Sequence, residues 1–162
     1  MKVVKQQTIA ENCLICGQNN LLGLHAHFYE LEDKSVVGLA TFKDQHQSYP
    51  GRAHGGMISA LLDETIGRAL WTVEPDVFAV TTTLNVRFRK PVPLNEEIKC
   101  VAKIKTNTSR GFSAEAKILD QNGQILATGE GTYVKVKDDA VGSCARDMFL
   151  PKNSKNLQNI DI

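Results

Sequence analysis

Apolar residues crowd one stretch of this chain in a helical rather than a strand rhythm. From Met57 to Trp71 it reads MISALLDETIGRALW, long enough and rich enough in Ala and Leu to predict an α-helix. Met57, Ile58, Ala60, Leu61, Leu62, Ile66, Ala69, Leu70 and Trp71 leave this helix apolar on nearly all sides, so it is expected to be buried. It is the one long helix candidate. Elsewhere the grammar is that of strands. Runs near Leu22 to Leu31 and Val36 to Phe42 flank the polar turn Glu32-Asp33-Lys34 and predict a hairpin. After Glu74-Pro75-Asp76, four β-branched runs follow: Val77 to Val92, Glu97 to Thr108, Phe112 to Leu119 and Gln124 to Val136. In the second of these, Ile98, Cys100, Ala102 and Ile104 alternate with Lys99, Val101, Lys103 and Lys105, as in a sheet with one buried face. Asn122-Gly123 marks a tight turn.

Two strands before one apolar helix and four after it predict an α+β fold, in which a curved antiparallel sheet wraps around the helix. Residues 1–20 read as a polar, irregular leader packing on the domain, residues 21–137 as the domain itself, and residues 138–162 as a tail that docks loosely. The loop from Lys43 to Ala53, with Pro50 and Gly51, leads into the helix.

Composition narrows the class without naming it. At 162 residues, one domain is the default, and 42% hydrophobic with 23% charged residues is ordinary for a globular protein. A net charge of +1 without a long block of one sign argues against nucleic-acid binding. No stretch approaches the roughly 20 apolar residues of a membrane span, and the N-terminus lacks a secretory signal, so a cytoplasmic location is expected. The four cysteines, Cys13, Cys16, Cys100 and Cys144, show no disulfide-framework spacing.

Two adjacent acids interrupt the apolar helix, and helical geometry turns them about 100 degrees apart. Glu64 has Arg68 four residues on, which predicts an exposed or semi-exposed ion pair. Asp63 has Ser59, Ala60, Ile66 and Gly67 at the same spacings and so no local partner. A costly unpartnered carboxylate is kept where it does chemistry, or else faces solvent at a helix edge. His54-Gly55-Gly56 stands at the helix start, where free N–H groups and the macrodipole favour an oxyanion. Asp63 lies about two turns further along.

The run from His54 to Glu64, HGGMISALLDE, resembles the helix motif of hotdog-fold acyl-CoA thioesterases, in the subgroup related to phenylacetate-degradation thioesterase. The likeness extends over residues 12–136, through Tyr49-Pro50-Gly51, Arg87-Phe88-Arg89-Lys90-Pro91 and Asn122-Gly123. The resemblance implies hydrolysis of an acyl-CoA thioester, with Gly55 donating a main-chain N–H to the thioester oxygen and Asp63 acting as nucleophile or as base for water. It implies a homo-oligomer, a dimer or a dimer of dimers joined edge to edge, with the site between subunits. A neighbouring chain then contributes a hydroxyl that falls on Thr81, beside Thr82 and Thr83. Relatives carry an Asn six residues before the motif His; here Ser48 stands there and Gln47 adjoins it. His54 is expected to orient or support rather than act as base, and Gly56 to meet substrate. Arg89, Lys90 and Arg110 are candidates for the CoA phosphates. No cofactor is implied. Rival readings are a hotdog hydratase or dehydratase, whose His-x-Phe-Pro approach is absent, and a non-catalytic acyl-CoA sensor.

Cys13-x-x-Cys16 has the spacing of half a zinc site, but a structural site wants four ligands, and recruitment of His25, His27 or Cys144 would be needed. A packed turn is the simpler expectation, and no metal ligand is assigned.

Overall fold

A computed structural model describes residues 1–75, 77–136, 148–151 and 157–162. In chain order the strands are β1 (Val3–Gln6), β2 (Ile9–Ala10), β3 (His27–Leu31) and β4 (Val36–Thr41). Helix α1 (Gly55–Arg68) follows, continued by a 3-10 turn at Ala69–Thr72. Then come β5 (Phe78–Phe88), β6 (Glu97–Asn107), β7 (Gly111–Leu119), β8 (Ile125–Val136) and β9 (Met148–Phe149). Seven strands form one antiparallel sheet in the order β1-β3-β4-β6-β7-β8-β5, and β2 pairs with β9 apart from it. The expected α+β architecture is therefore the one observed, a curved sheet around a single long helix.

The helix lies against the inner face. Ile58, Leu61, Leu62 and Ile66 pack with Phe28, Val36, Ala40, Ile98, Cys100, Ala102, Ala114, Ala116 and Ile118. The inward series Ile98, Cys100, Ala102 and Ile104 follows the period-two reading of β6. On the outer face, Tyr29, Leu31, Val37, Leu39, Val101 and Leu119 form a second cluster with Leu157 and Ile160. That cover explains why Val36 to Ala40 are buried on both sides.

The structure departs from the sequence reading in four places. The leader is not irregular: β1 pairs with β3 and extends the sheet, because Val3, Lys5 and Gln6 find a free edge opposite Leu31, Glu30 and Tyr29. The strand expected from Leu22 begins only at His27, since Leu21 and Leu22 are exposed and His25 sits at φ 51°, which no strand residue adopts. The run from Val77 ends at Phe88, where the N–H groups of Arg89 and Lys90 both turn to the Leu126 carbonyl ahead of Pro91. The described parts of the tail are packed, with Ile160 buried and its N–H on the Met1 carbonyl. Cys144 lies outside the described residues. Among those residues no helix is long and apolar enough to cross a membrane.

The Glu64–Arg68 pair forms, with Nε 2.8 Å from Oε1, but it is no surface feature, because Arg68 is only 4% exposed. Its guanidinium lies 4.2 Å from the centre of the Phe28 ring and 5.1 Å from that of Trp71. It donates to the Thr8 carbonyl at 2.8 Å and to Cys16 Sγ at 3.2 Å. Gln7 is buried beside it, bridging the Arg68 carbonyl and Glu30. One fork of donors thus ties the C-terminal turn of α1 to the leader and β3. Replacing Arg68 with Met strands Gln7 and the Thr8 carbonyl and is expected to cost about 2–4 kcal/mol in urea unfolding. Arg68→Lys should recover little of it, since an ammonium cannot supply the planar fork. An Arg68→Met midpoint equal to wild type would show that the network carries no stability.

Candidate functional site

Asp63 is half-buried on the flank of α1 that faces β8 and β5. Its Oδ1 accepts from the Tyr133 hydroxyl at 2.7 Å and from the Thr81 hydroxyl at 2.8 Å. The same phenol lies 3.0 Å from the Asp63 main-chain carbonyl, but it has one proton, and the shorter contact is with the charged oxygen. No hydrogen bond engages Oδ2 among the described residues. The carboxylate is therefore fixed through one oxygen and leaves the other free. This corrects the expectation of an unpartnered acid: its partners come from strands distant in sequence.

Tyr133 is the residue that sequence reasoning missed. In β8, Ala127, Gly129, Gly131 and Tyr133 point inward while Glu130, Thr132 and Val134 point out. A Cβ at Gly131 would lie 2.7 Å from the Tyr133 ring, so only glycine leaves room for the ring to fold back toward α1. The ring stacks on Phe112, with centroids 4.8 Å apart and planes at 15°. Burial, reinforced by the hydrogen bond to Asp63, pushes the phenol pKa well above its ordinary value. Tyr133 accordingly stays a donor at any physiological pH. A small-small-aromatic alternation in a strand was the available signal.

Thr81 owes its aim to a bulge in β5. Thr81 pairs with Tyr133 and Thr83 with Thr132, so one residue is extra between them. Thr81 faces inward with Tyr133, whereas the hydroxyls of Thr82 and Thr83 turn to Thr132 Oγ1, at 2.8 and 2.5 Å. Beyond the bulge, Leu84, Val86 and Phe88 take the inward positions opposite Gly131, Gly129 and Ala127. The resemblance assigned this hydroxyl to a neighbouring chain; Thr81 instead reaches Asp63 within its own chain.

His54 is the N-cap of α1. Its Nδ1 accepts from the Gly56 N–H at 2.9 Å, which requires the proton to be on Nε2 in the neutral ring. Gly56, expected to meet substrate, has its N–H taken up by the cap. The Gly55 N–H has no such partner among the described residues, and the Phe88 ring lies next to Gly55. Gln47 does not present its amide oxygen outward: Oε1 accepts from Gly51 N–H at 2.9 Å and closes the loop. Ser48 is exposed, its N–H on the Arg52 carbonyl. His46 pins the loop, with Nδ1 accepting from Lys43 N–H and Nε2 donating to the Leu22 carbonyl.

Eight residues separate Gly55 from Asp63, so their positions differ by about 12 Å along the helix axis. Gly55 lies beside Phe88 at one end of β5, and Asp63 beside Thr81 near the other. The basic candidates divide in the same way. Arg89 and Lys90 follow β5 near Leu126, whereas Arg110 sits in the β6–β7 turn with its carbonyl on Lys135 N–H. Nine residues of β8 separate those points, roughly 30 Å of extended strand, so one chain cannot bring all three to one phosphate group. A depression of about 950 Å³ is lined by Arg87, Lys103, Glu115 and Lys117, but these lie on the outer face, away from Asp63.

The thiols differ sharply. The hydrogen bond from the Cys16 thiol, helped by main-chain N–H groups, lowers Cys13 to about 6, while its donor Cys16 is pushed up. Burial raises Cys100 to about 12 and leaves it inert.

Comparison with known proteins gives concordant results. Residues 50–127 match the thioesterase superfamily. Acyl-coenzyme A thioesterase THEM4 of Mus musculus is 28% identical over 115 residues, which are 71% of this chain and 48% of that protein. Acyl-coenzyme A thioesterase 13 of Mus musculus is 28% identical over 91 residues, 56% of this chain and 65% of that one. The chain thus spans about half the length of the first of these relatives and just under two thirds of the second. Among solved structures, a thioesterase superfamily protein superposes with a TM-score of 0.71 and 28% identity, over 76% of this chain and 63% of its own. The Escherichia coli PaaI protein of the phenylacetic acid degradation operon shares the fold at a TM-score of 0.64 and 17% identity, over 70% of this chain and 81% of its own. With one long helix and a seven-stranded antiparallel sheet among its described residues, the chain has the hotdog fold of these thioesterase-superfamily structures, and its residues 50–127 are similar to that family.

Proposed function

We propose that the protein hydrolyses an acyl-CoA thioester, with Asp63 as the catalytic carboxylate. The observation that carries this reading is the Asp63 carboxylate itself, held through Oδ1 by Tyr133 and Thr81 with Oδ2 left open. Oδ2 then either attacks the thioester carbonyl or takes a proton from the attacking water. The negative charge that develops on the carbonyl oxygen needs a main-chain donor about 3 Å away, the role fitted by the Gly55 N–H. Collapse of the tetrahedral adduct breaks the C–S bond; where Asp63 activated water, it passes the proton it took to the CoA sulfur, and where Oδ2 attacked, water then hydrolyses the acyl–Asp63 anhydride to the free acid and supplies that proton. Relatives named as acyl-coenzyme A thioesterases support the substrate class. A Streptococcus mutans protein of this fold was solved bound to acetyl CoA.

Gly55 and Asp63 of one chain stand too far apart to hold one carbonyl between them, so the reaction requires two copies. Among the described residues strand β5 is an edge, paired on one side only, and it carries exposed Val80 and Phe88. The bulge puts Thr81 and Phe88 on the same face although Phe88 lies an odd number of positions after Thr81. Antiparallel pairing of β5 with its copy, about a two-fold at Asn85 and with Thr82 taken up in the bulge, sets Thr81 of one chain opposite Phe88 of the other. Asp63 of each then meets Gly55 of its partner, and one pairing makes two sites. This pairing also removes the free backbone groups of an exposed edge. Arg89 and Lys90 of one chain and Arg110 of the other come to the same end, where CoA phosphates could be met.

Asp63→Asn should lower kcat for acyl-CoA hydrolysis by about 10²–10⁴-fold with an unchanged circular dichroism spectrum. An unaltered rate in a free-thiol assay across a panel of acyl-CoAs refutes the assignment, and binding without thiol release would favour a sensor. Gly131→Ala should push the Tyr133 ring off the carboxylate, lowering kcat more than it lowers stability, about 1 kcal/mol. Subunit mixing tests the geometry. Asp63→Asn and Gly55→Val are each expected to be inactive, yet a refolded equal mixture should regain about a quarter of the wild-type rate, because each mixed dimer restores one of its two sites. No recovery in a mixture shown to contain mixed dimers would place both residues in the site of a single chain.

A further inference from the structure

The loop between β2 and β3 carries Cys13-Leu14-Ile15-Cys16-Gly17, a cluster the proposed reaction does not use. Its backbone wraps around one sulfur. The N–H groups of Ile15 and Cys16 lie 3.3 and 3.4 Å from Cys13 Sγ, and the Gly17 N–H bonds the Cys13 carbonyl at 2.9 Å. A Cβ at Gly17 would stand 2.5 Å from both Cys13 N and Cys13 O, so this tight wrap admits glycine alone. Main-chain donors aimed at a sulfur favour its thiolate, the form that binds metal. Helix α1 supplies a third group: Cys13 Sγ, Cys16 Sγ and a Glu64 carboxylate oxygen all lie within 4.8 Å of one another.

We propose that Cys13, Cys16 and Glu64 form a site for a zinc-like divalent cation that ties the leader to α1. Two thiolates with one carboxylate are a zinc donor set, and the fourth tetrahedral position is left to water on the half-exposed side of Cys13 and Glu64. Tetrahedral zinc wants its donors roughly 3.5–3.8 Å apart, so the cluster need close only slightly. Arg68 supports rather than opposes the site. It donates to Cys16 Sγ at 3.2 Å and to Glu64 Oε1 at 2.8 Å, the outer-shell contacts that orient metal ligands. Its permanent charge and that of the dication together cancel the three negative charges of the ligands, so the filled site is neutral where Arg68 is buried. His25 is not among the groups that gather around the two sulfurs.

The full chain, reduced and stripped with chelator, is titrated with Co²⁺ and then with Zn²⁺ against a chromophoric chelator. Expected are one equivalent of Zn²⁺ bound more tightly than about 1 μM, and thiolate-to-cobalt charge-transfer bands with tetrahedral d–d absorption that Zn²⁺ erases. Zn²⁺ should also raise Tm. Cys13→Ser with Cys16→Ser should abolish all three signals, whereas Glu64→Gln should keep the charge-transfer bands and weaken Zn²⁺ by roughly 10–100-fold. Asp63→Asn should bind metal like wild type, which separates this proposal from the hydrolytic one. Absence of cobalt charge transfer in the wild type overturns the site, and that reading needs no variant to fold. Zn²⁺ affinity unchanged in the double Ser variant, or a freshly reduced chain that reoxidises to a Cys13–Cys16 disulfide and never takes metal, overturns it equally.

Discussion

The close approach of α1 to β8 is the contact on which the rest of the structure depends. A Cβ at Gly129 would lie 3.4 Å from Ile66 Cδ1 and from both Leu62 methyl groups, so the helix rests almost on the strand backbone. Two positions further on, Gly131 makes the space into which the Tyr133 ring folds. Without that proximity the phenol would end short of Asp63, and the carboxylate would have only Thr81. Each missing side chain in β8 is thus replaced by something useful, helix methyl groups at Gly129 and an aromatic donor at Gly131. The curvature of the sheet follows from the same economy of volume, since large residues at these positions would hold the helix away.

That packing also decides which groups one chain can bring together. It sets Asp63 against the bulged part of β5 and Gly55 against Phe88 at the far end of the same strand. A bulge is ordinarily a device for turning a side chain, and here it does more. By shifting the parity of β5 it points Thr81, Leu84, Val86 and Phe88 all toward the helix. A regular strand would send either Thr81 or Phe88 to the outer face, and two copies joined along this edge could not then form matching half-sites.

Much of this was legible in the sequence. The long apolar run announced α1, the alternation of Ile98, Cys100, Ala102 and Ile104 announced an inner face, and Asp63 stood out because nothing on its own helix could neutralise it. The failures have a common physical cause. Tyr133, 70 residues from Asp63, and Arg68, 52 residues from Cys16, act through partners that only the folded sheet brings near. Local spacing paired Arg68 with Glu64 correctly, yet could not tell that the cation is buried beneath the leader. Strand β1 escaped notice because Val3-Val4-Lys5-Gln6 is too short and too polar to declare itself. It is ordered by the free edge of β3. The bulge was unreadable as well, since Thr81, Thr82 and Thr83 are identical in sequence and differ only in which one the extra residue displaces.

On the proposed reading, in which Asp63 meets a carbonyl held partly by another subunit, little error is tolerated, because placement off by about an ångström can cost a hundredfold in rate. The helix bearing Asp63 is secured at both ends in different ways. At its start the His54 ring caps the Gly56 N–H and the His54 main-chain N–H bonds the His46 carbonyl, so the cap is anchored to a loop that His46 fastens to the Leu22 carbonyl, just past the leader. At its end Arg68 grips Thr8, Cys16 and Glu64 and is stacked on Phe28. Both anchors run to the first 24 residues, although the hydrogen bonds of the Asp63 carboxylate come from Tyr133 and Thr81. The leader therefore does for the helix axis what Tyr133 and Thr81 do for the carboxylate: it removes freedom that substrate binding would otherwise have to remove. Loosening the leader should then act on turnover through the position of α1, without any change in the chemistry of the reacting groups.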